Sequence, residues 1–201
     1  MPGAMELRGP HLTLRLPQPA DAEALLALAG DPLVTQWFSW GPYRDVAEPR
    51  AWIAEQPAKR DAGVQLDFVM DHHEHGIVGV TGLGELSRRD RRAMVGTWLG
   101  RAHWGTGVNR ESKALVAHLA FAVCGLERLG AYSNPENARS ATALTRVGFT
   151  HEGTLRGWHR HGERQLDVHV FGMLRAEWAA GALAEIPVTA VGEPPAPWLA
   201  L

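Results

Sequence analysis

Three strand-like stretches, VQLDFVM, GIVGVTGLGEL and RAMVGTWLG, follow one another between Val64 and Leu99 with only the turn-like DHHEHG and SRRDRR between them. Runs of this length joined by short polar turns satisfy their backbone groups by pairing with the next in sequence, so an antiparallel meander is expected. The third run leads into Gly105 and Gly107, after which Val108, Leu115, Val116, Leu119 and Val123 fall on one stripe at helical spacing. LGAYS then reads as a short strand, Ala138 to Arg146 as a helix ended by Gly148, and Phe149 to Leu155 and Asp167 to Leu174 as two closing strands. Upstream, Leu12 to Leu16 alternates like a first strand, while Ala20 to Ala29 and Val46 to Glu55 read as helices. That order predicts an α/β (α+β) sandwich around a mixed, mainly antiparallel central sheet with flanking helices.

With 201 residues, 45% of them hydrophobic and 21% charged, the chain can bury one core without metals or disulfides. We expect a single domain over 12–180, a flexible N-terminal segment 1–11 and a Pro-rich tail 181–201. Cys124 is the sole cysteine, which excludes an internal disulfide, and the first residues lack the apolar stretch of a signal peptide. A cytoplasmic location is expected. A net charge of −2 and the lack of any apolar run near membrane-spanning length argue against nucleic-acid and membrane partners. The apolar tail residues Trp198, Leu199 and Leu201 would be exposed on a monomer, which raises the expectation of a homodimer.

Between the third strand and the long helix, the stretch WGTGVNRESK aims free amides and a positive helix end at one point, a setting suited to an anion. Gly105 and Gly107 let the backbone approach a phosphate, and Arg110 and Lys113 can add charge from the first turns. A lone GxG could equally be an ordinary tight turn. No Gly-Lys-Ser/Thr closes the loop, which excludes a Walker P-loop, and Arg110 stands where a dinucleotide fingerprint needs its third glycine. Those losses leave coenzyme A as the leading ligand.

The segments WGTGVNRESKALVAHLAF and NARSATALTRVGFTHEGTLR resemble the acyl-CoA loop and the NxxS...GFxxEGxLR segment of GNAT acetyltransferases of the RimJ/RimL branch, and LTLRLPQPADAEALLALAGDP resembles the amino-terminal strand and helix of that branch. The resemblance covers about Leu12 to Trp178. It implies a GNAT-like sheet whose central strands, holding Val95 to Leu99 and Leu129 to Ser133, splay apart, with pantetheine along Val95, Trp98 and Leu99. The amides of Trp104, Gly105, Thr106, Gly107, Val108 and Asn109 would then hold the pyrophosphate of acetyl-CoA, and Asn137 and Ser140 would face the thioester. Either Asn137 or Ser140 could instead cap the 138–146 helix.

The resemblance further implies N-acetyl transfer to an amine acceptor, either a peptide N-terminus or a small molecule. Leu144 stands where many GNATs have a tyrosine acid, and Met94 where many have a carboxylate. Ser140 becomes the candidate partner of the thiolate, and Glu85 a candidate water-mediated base, or else a solvated carboxylate. These two departures also keep open a non-catalytic acyl-CoA-binding module. Asn109 replaces a small residue and fits only if its side chain turns away. The run His72, His73, Glu74, His75 reads as a solvated hairpin, since consecutive ligands rarely converge on one metal; no metal is expected. Trp37, Phe38, Trp40 and Tyr43 either line an acceptor pocket or form a minor core, and Trp158 to His161 either face substrate or sit in an exposed turn.

Overall fold

A computed structural model describes residues 5–199. Its strands are β1 (Glu6–Arg8), β2 (Leu12–Arg15), β3 (Gln65–His72), β4 (Gly76–Ser87), β5 (Arg92–Leu99), β6 (Arg128–Ser133), β7 (Thr150–His161), β8 (Arg164–Leu174) and β9 (Thr189–Val191). Its helices are α1 (Ala22–Ala29), α2 (Pro32–Thr35), α3 (Ala47–Asp61), α4 (Val108–His118), α5 (Ala138–Arg146) and α6 (Arg175–Ala180). The strands form one sheet in the order β7-β8-β6-β5-β4-β3-β2-β1-β9, antiparallel throughout except between β5 and β6. The expected mixed α/β architecture with a mainly antiparallel sheet is the one observed.

The two faces of the sheet are buried differently. One carries the main core, in which Leu14, Phe68, Leu83, Val95 and Ala131 meet the α4 residues Leu115 and Val116. The other packs Val69 and Val80 against Leu25 of α1 and Ile53 of α3. Glu111 of α4 ties the helix to the sheet, its carboxylate accepting the backbone N–H groups of His11 and Leu12 at 2.8 Å each. The carboxylate takes the place of a strand partner for those amides, which fixes how α4 approaches β2.

Several boundaries differ from expectation. α3 continues through Pro57 to Asp61, its last turn carrying Lys59 and Arg60 where cations suit the helix end. The closing strands are longer and form a hairpin reaching His161. Neither chain end is loose within the described residues. Leu7 is fully buried in β1, which pairs with β2 on one side and with β9 of the tail on the other. Trp198 is likewise fully buried and donates from Nε1 to the Arg60 carbonyl at 2.9 Å. Apolar residues spaced through a Pro-rich segment can pack without regular structure, which compositional reading overlooks. The tail covers its own tryptophan, so the apolar-tail argument for a homodimer falls; Leu201 lies outside the described residues.

Candidate active site

The parallel pair β5 and β6 holds together only at Arg92↔Arg128, Ala93↔Leu129 and Met94↔Gly130. Beyond Met94 the strands part, leaving the β6-facing edge of Val95–Leu99 without a strand partner among the described residues. On the other side β4 breaks register between Gly84 and Ser87, where Glu85 adopts φ 48°. Such an irregularity strengthens local twist. Val95 and Leu99 turn their side chains into the α4 core, while Trp98 points to the opposite face and meets Trp40 with ring centroids 5.9 Å apart.

At the C-terminal end of β5 the chain turns through Trp104 to Gly107 into α4. Gly105 and Gly107 have φ of 79° and 94°, the left-handed region that glycine enters freely. A side chain at either would meet no atom within 4 Å, so open space lies over both. No internal hydrogen bond among the described residues occupies the amides of Gly105, Thr106, Gly107, Val108 or Asn109, and no side chain caps α4. A groove of about 360 Å³ adjoins the loop, lined by His11, His72, Thr106, Gly107 and Arg110 among others. These are the features of an anion site: free donors at a helix N-terminus with room in front of them.

Arg110 stands exposed beside that groove. Lys113, expected to add charge there from the first turns of the helix, does not: it is buried. Helix α4 is buried on every residue from Glu111 to Ala117, so its second turn has no outer face. The Lys113 ammonium instead donates to Thr97 Oγ1 of β5 and lies 3.5 Å from Asn109 Oδ1. Thr97 Oγ1 is in turn 2.7 Å from Thr81 Oγ1. Desolvation pulls the Lys113 pKa down to about 7. The Asn109 side chain folds toward Lys113, away from the amides it was feared to block.

Across the split, Asn137 Oδ1 accepts the Ser140 N–H at 3.1 Å and caps α5. The cap is therefore Asn137 and not Ser140, whose hydroxyl has no hydrogen-bond partner among the described residues. Arg139, between them, lays its guanidinium 3.3 Å from the centroid of Trp104, whose own Nε1 donates to Leu99 O. This contact joins the loop to α5, and because the two residues share no periodicity nothing along the chain announces it. Leu144, at the position of the absent tyrosine, is buried.

On the sheet face turned toward α1 and α3, Tyr132 of β6 donates to Glu85 Oε2 at 3.2 Å, reaching across β5. His159 of β7 stands edge-on to the Tyr132 ring at 5.2 Å, and Trp158 lies 6.3 Å away. Desolvation, then the nearby His161, depress the His159 pKa, with Glu85 opposing, so its imidazole is neutral at neutral pH. Desolvation and the Glu85 charge raise that of Tyr132. Glu85 and, within the run Trp158 to His161, His159 are both candidates from the sequence, whereas Tyr132, which touches each of them, is not: nothing in an LGAYS strand announces that convergence. Elsewhere, burial pushes the Cys124 thiol up to about 12, leaving it unreactive. His72 and His75 stack at 4.5 Å in the β3–β4 hairpin.

A nine-stranded sheet split between its two parallel strands, with an open anion-ready loop at the mouth of the split, defines an acetyltransferase of the GNAT type. The profile of the acetyltransferase (GNAT) domain family matches residues 11–150. Uncharacterized N-acetyltransferase p20 of Bacillus licheniformis is 31% identical over 84% of this chain and 96% of its own length. The crystal structure of a probable acetyltransferase (GNAT family) from Chromobacterium violaceum superposes with TM-score 0.77 at 28% identity, covering 86% of this chain and 87% of that one. The microcin C7 self-immunity acetyltransferase MccE, solved with acetyl-CoA and AMP, shares the fold at TM-score 0.74 and 19% identity over 82% of this chain and 93% of its own. The chain belongs to the GNAT acetyltransferase family.

Proposed function

We propose that the protein transfers acetyl from acetyl-CoA to a primary amine by direct attack in a ternary complex, and that it belongs to the RimJ/RimL-type branch whose NxxS...GFxxEGxLR pattern it carries. The observation that carries the reading is the unpaired edge of β5 ending at the open Gly105–Asn109 amides. In this reading pantetheine pairs with Val95–Leu99, the pyrophosphate sits on the loop with Arg110 beside it, and the thioester reaches the level of Gly96. Asn137 Oδ1 holds the cap, and its Nδ2 donors are left to face the thioester.

The amine nitrogen attacks the thioester carbonyl, forming the C–N bond; the tetrahedral intermediate collapses with loss of the C–S bond to give the amide and CoA thiolate. The amine proton passes to Glu85 through Tyr132 or a bound water, and the thiolate is stabilised by a hydrogen bond from Ser140, whose hydroxyl is otherwise free. His159, held neutral, is a second proton acceptor at the same place. Such a set of groups on the acceptor side favours an enzyme over a non-catalytic acyl-CoA-binding module.

The test is acetyl-CoA with a panel of primary amines and peptides, following CoA thiol release and the acetylated product by mass spectrometry. Amine-dependent release with stoichiometric product is expected. Tight acetyl-CoA binding with no release from any amine would leave the binding module as the correct reading.

A further inference from the structure

On the sheet face covered by α1 and α3, register places Asp67, Gly82 and Gly96 side by side on β3, β4 and β5, and Gln65, Gly84, Met94 and Gly130 in the next row. Each glycine save one is roofed by a neighbour's side chain. A side chain at Gly82 would collide with Asp67 Oδ1, at Gly84 with Gln65 Oε1, and at Gly130 with Met94 Sδ. At Gly96 it would meet nothing within 4 Å. The face therefore holds one open spot, over Gly96, where β5 has already parted from β6.

That spot has a polar side and an apolar side. The Asp67 carboxylate lies over Gly82, one strand away, anchored by a hydrogen bond from Gln65 Nε2 at 2.8 Å. Two residues along β5, Trp98 stands on the same face with Trp40 against it, and Trp40 packs on Phe38 and Tyr43 at 5.3 Å each. Lys59 of α3, the cation that acts on Asp67, is itself paired with Glu55 at 2.7 Å. Desolvation raises the Asp67 pKa to about 6, with Gln65 and Lys59 opposing, so the group is an ionised carboxylate at pH 7.5 in an environment poor in countercharge.

We infer that Asp67 is the specificity-determining carboxylate of the acceptor site, selecting an amine that arrives as an ammonium ion with an apolar shoulder. The ammonium meets the carboxylate beside Gly96, and the shoulder lies on the Trp98 and Trp40 rings, which also favour a cation by their π faces. Asp67 here recognises the acceptor, and proton removal stays with Glu85 and Tyr132. The inference rests on the acetyl-transfer reading for its substrate, but its binding component stands apart from turnover.

The experiment titrates 2-phenylethylamine, and separately 2-phenylethanol, into the CoA-bound protein by calorimetry, then measures steady-state kinetics with the amine. Wild type should bind the amine and not the alcohol. Asp67→Asn should lose that preference and raise the amine KM at least about tenfold, with acetyl-CoA affinity and kcat changed by less than about threefold. Gly96→Val, which fills the open spot and leaves the charge in place, should weaken amine binding as well. Equal binding of amine and alcohol by wild type, or an Asp67→Asn protein with unchanged amine affinity, overturns the inference even if acetyl transfer is intact. Charge-selective binding lost in Asp67→Asn, without turnover in wild type, would uphold the site and remove the transfer reading. Retained thermal stability of Asp67→Asn separates these outcomes from misfolding, since replacing a desolvated carboxylate by its amide should not destabilise the fold at pH 7.5.

Discussion

Ser140 and Asn137 sit three residues apart, and it is the Asn137 side chain that caps α5. Because Asn137 supplies the cap, Asn137→Ala should lower stability by about 1 kcal/mol, read by denaturant titration. Ser140→Ala should leave stability within about 0.5 kcal/mol while lowering kcat roughly ten- to a thousand-fold at unchanged acetyl-CoA affinity, the pattern of a bond made in the transition state. Loss of stability without loss of kcat in Ser140→Ala would return the proton to water. Lys113 makes a different kind of prediction. Its folded pKa of about 7 lies below the ordinary 10.5, so between those values the unfolded chain holds a proton that the folded chain has released. Unfolding is then proton-linked: the burial cost is fully present below about pH 7 and fades as pH rises toward 10.5. Lys113→Met should be more stable than wild type at pH 7, with the gap in Tm narrowing by pH 9.5. A gap independent of pH would mean that Lys113 keeps its charge in the folded state.

At the scale of elements, the β5–loop–α4 unit was legible because glycine, strand pattern and helical stripe stand next to each other in the chain. The proposed anion site there predicts that Gly107→Val abolishes acetyl-CoA binding in calorimetry, through a blocked approach and a φ of 94° that a branched residue resists. A folded Gly107→Val protein with wild-type affinity would take the loop out of the site. The meander, α5 and the closing hairpin were legible for the same local reason. What the sequence hid is whatever depends on register between distant strands. Nothing in LGAYS says that Tyr132 will reach Glu85 across β5, and nothing in QLDFVM says that Asp67 will lie over a glycine two residues from Gly84. Lys113 misled in the opposite sense: charge on a helix normally marks its outer face, and here the helix has none in that turn.

For the molecule as a whole, the described residues contain no helix long and apolar enough to cross a membrane. Trp198 closes the main core from the tail, so Trp198→Ala should cost about 3–5 kcal/mol, a large share of the 5–15 kcal/mol that holds a typical domain together. Thermal unfolding would show it as a steep drop in Tm; a shift of a degree or two would mean the tail is merely draped on the surface. Saturating acetyl-CoA, at about a hundredfold over its Kd, should stabilise the wild type by about 2.7 kcal/mol if it binds only the folded chain. The pairing of β1 with β9, Leu7 opposite Ala190, joins segments from near the two ends of the described chain. During synthesis β1 is made early, and its outer edge has no partner until Thr189 to Val191 have left the ribosome. A nascent or truncated chain ending before them carries an open strand edge of the kind that recruits chaperones or other chains. Loss of the tail would then be felt first in the cell's quality control, as insoluble or degraded protein, before any change in catalysis could be measured.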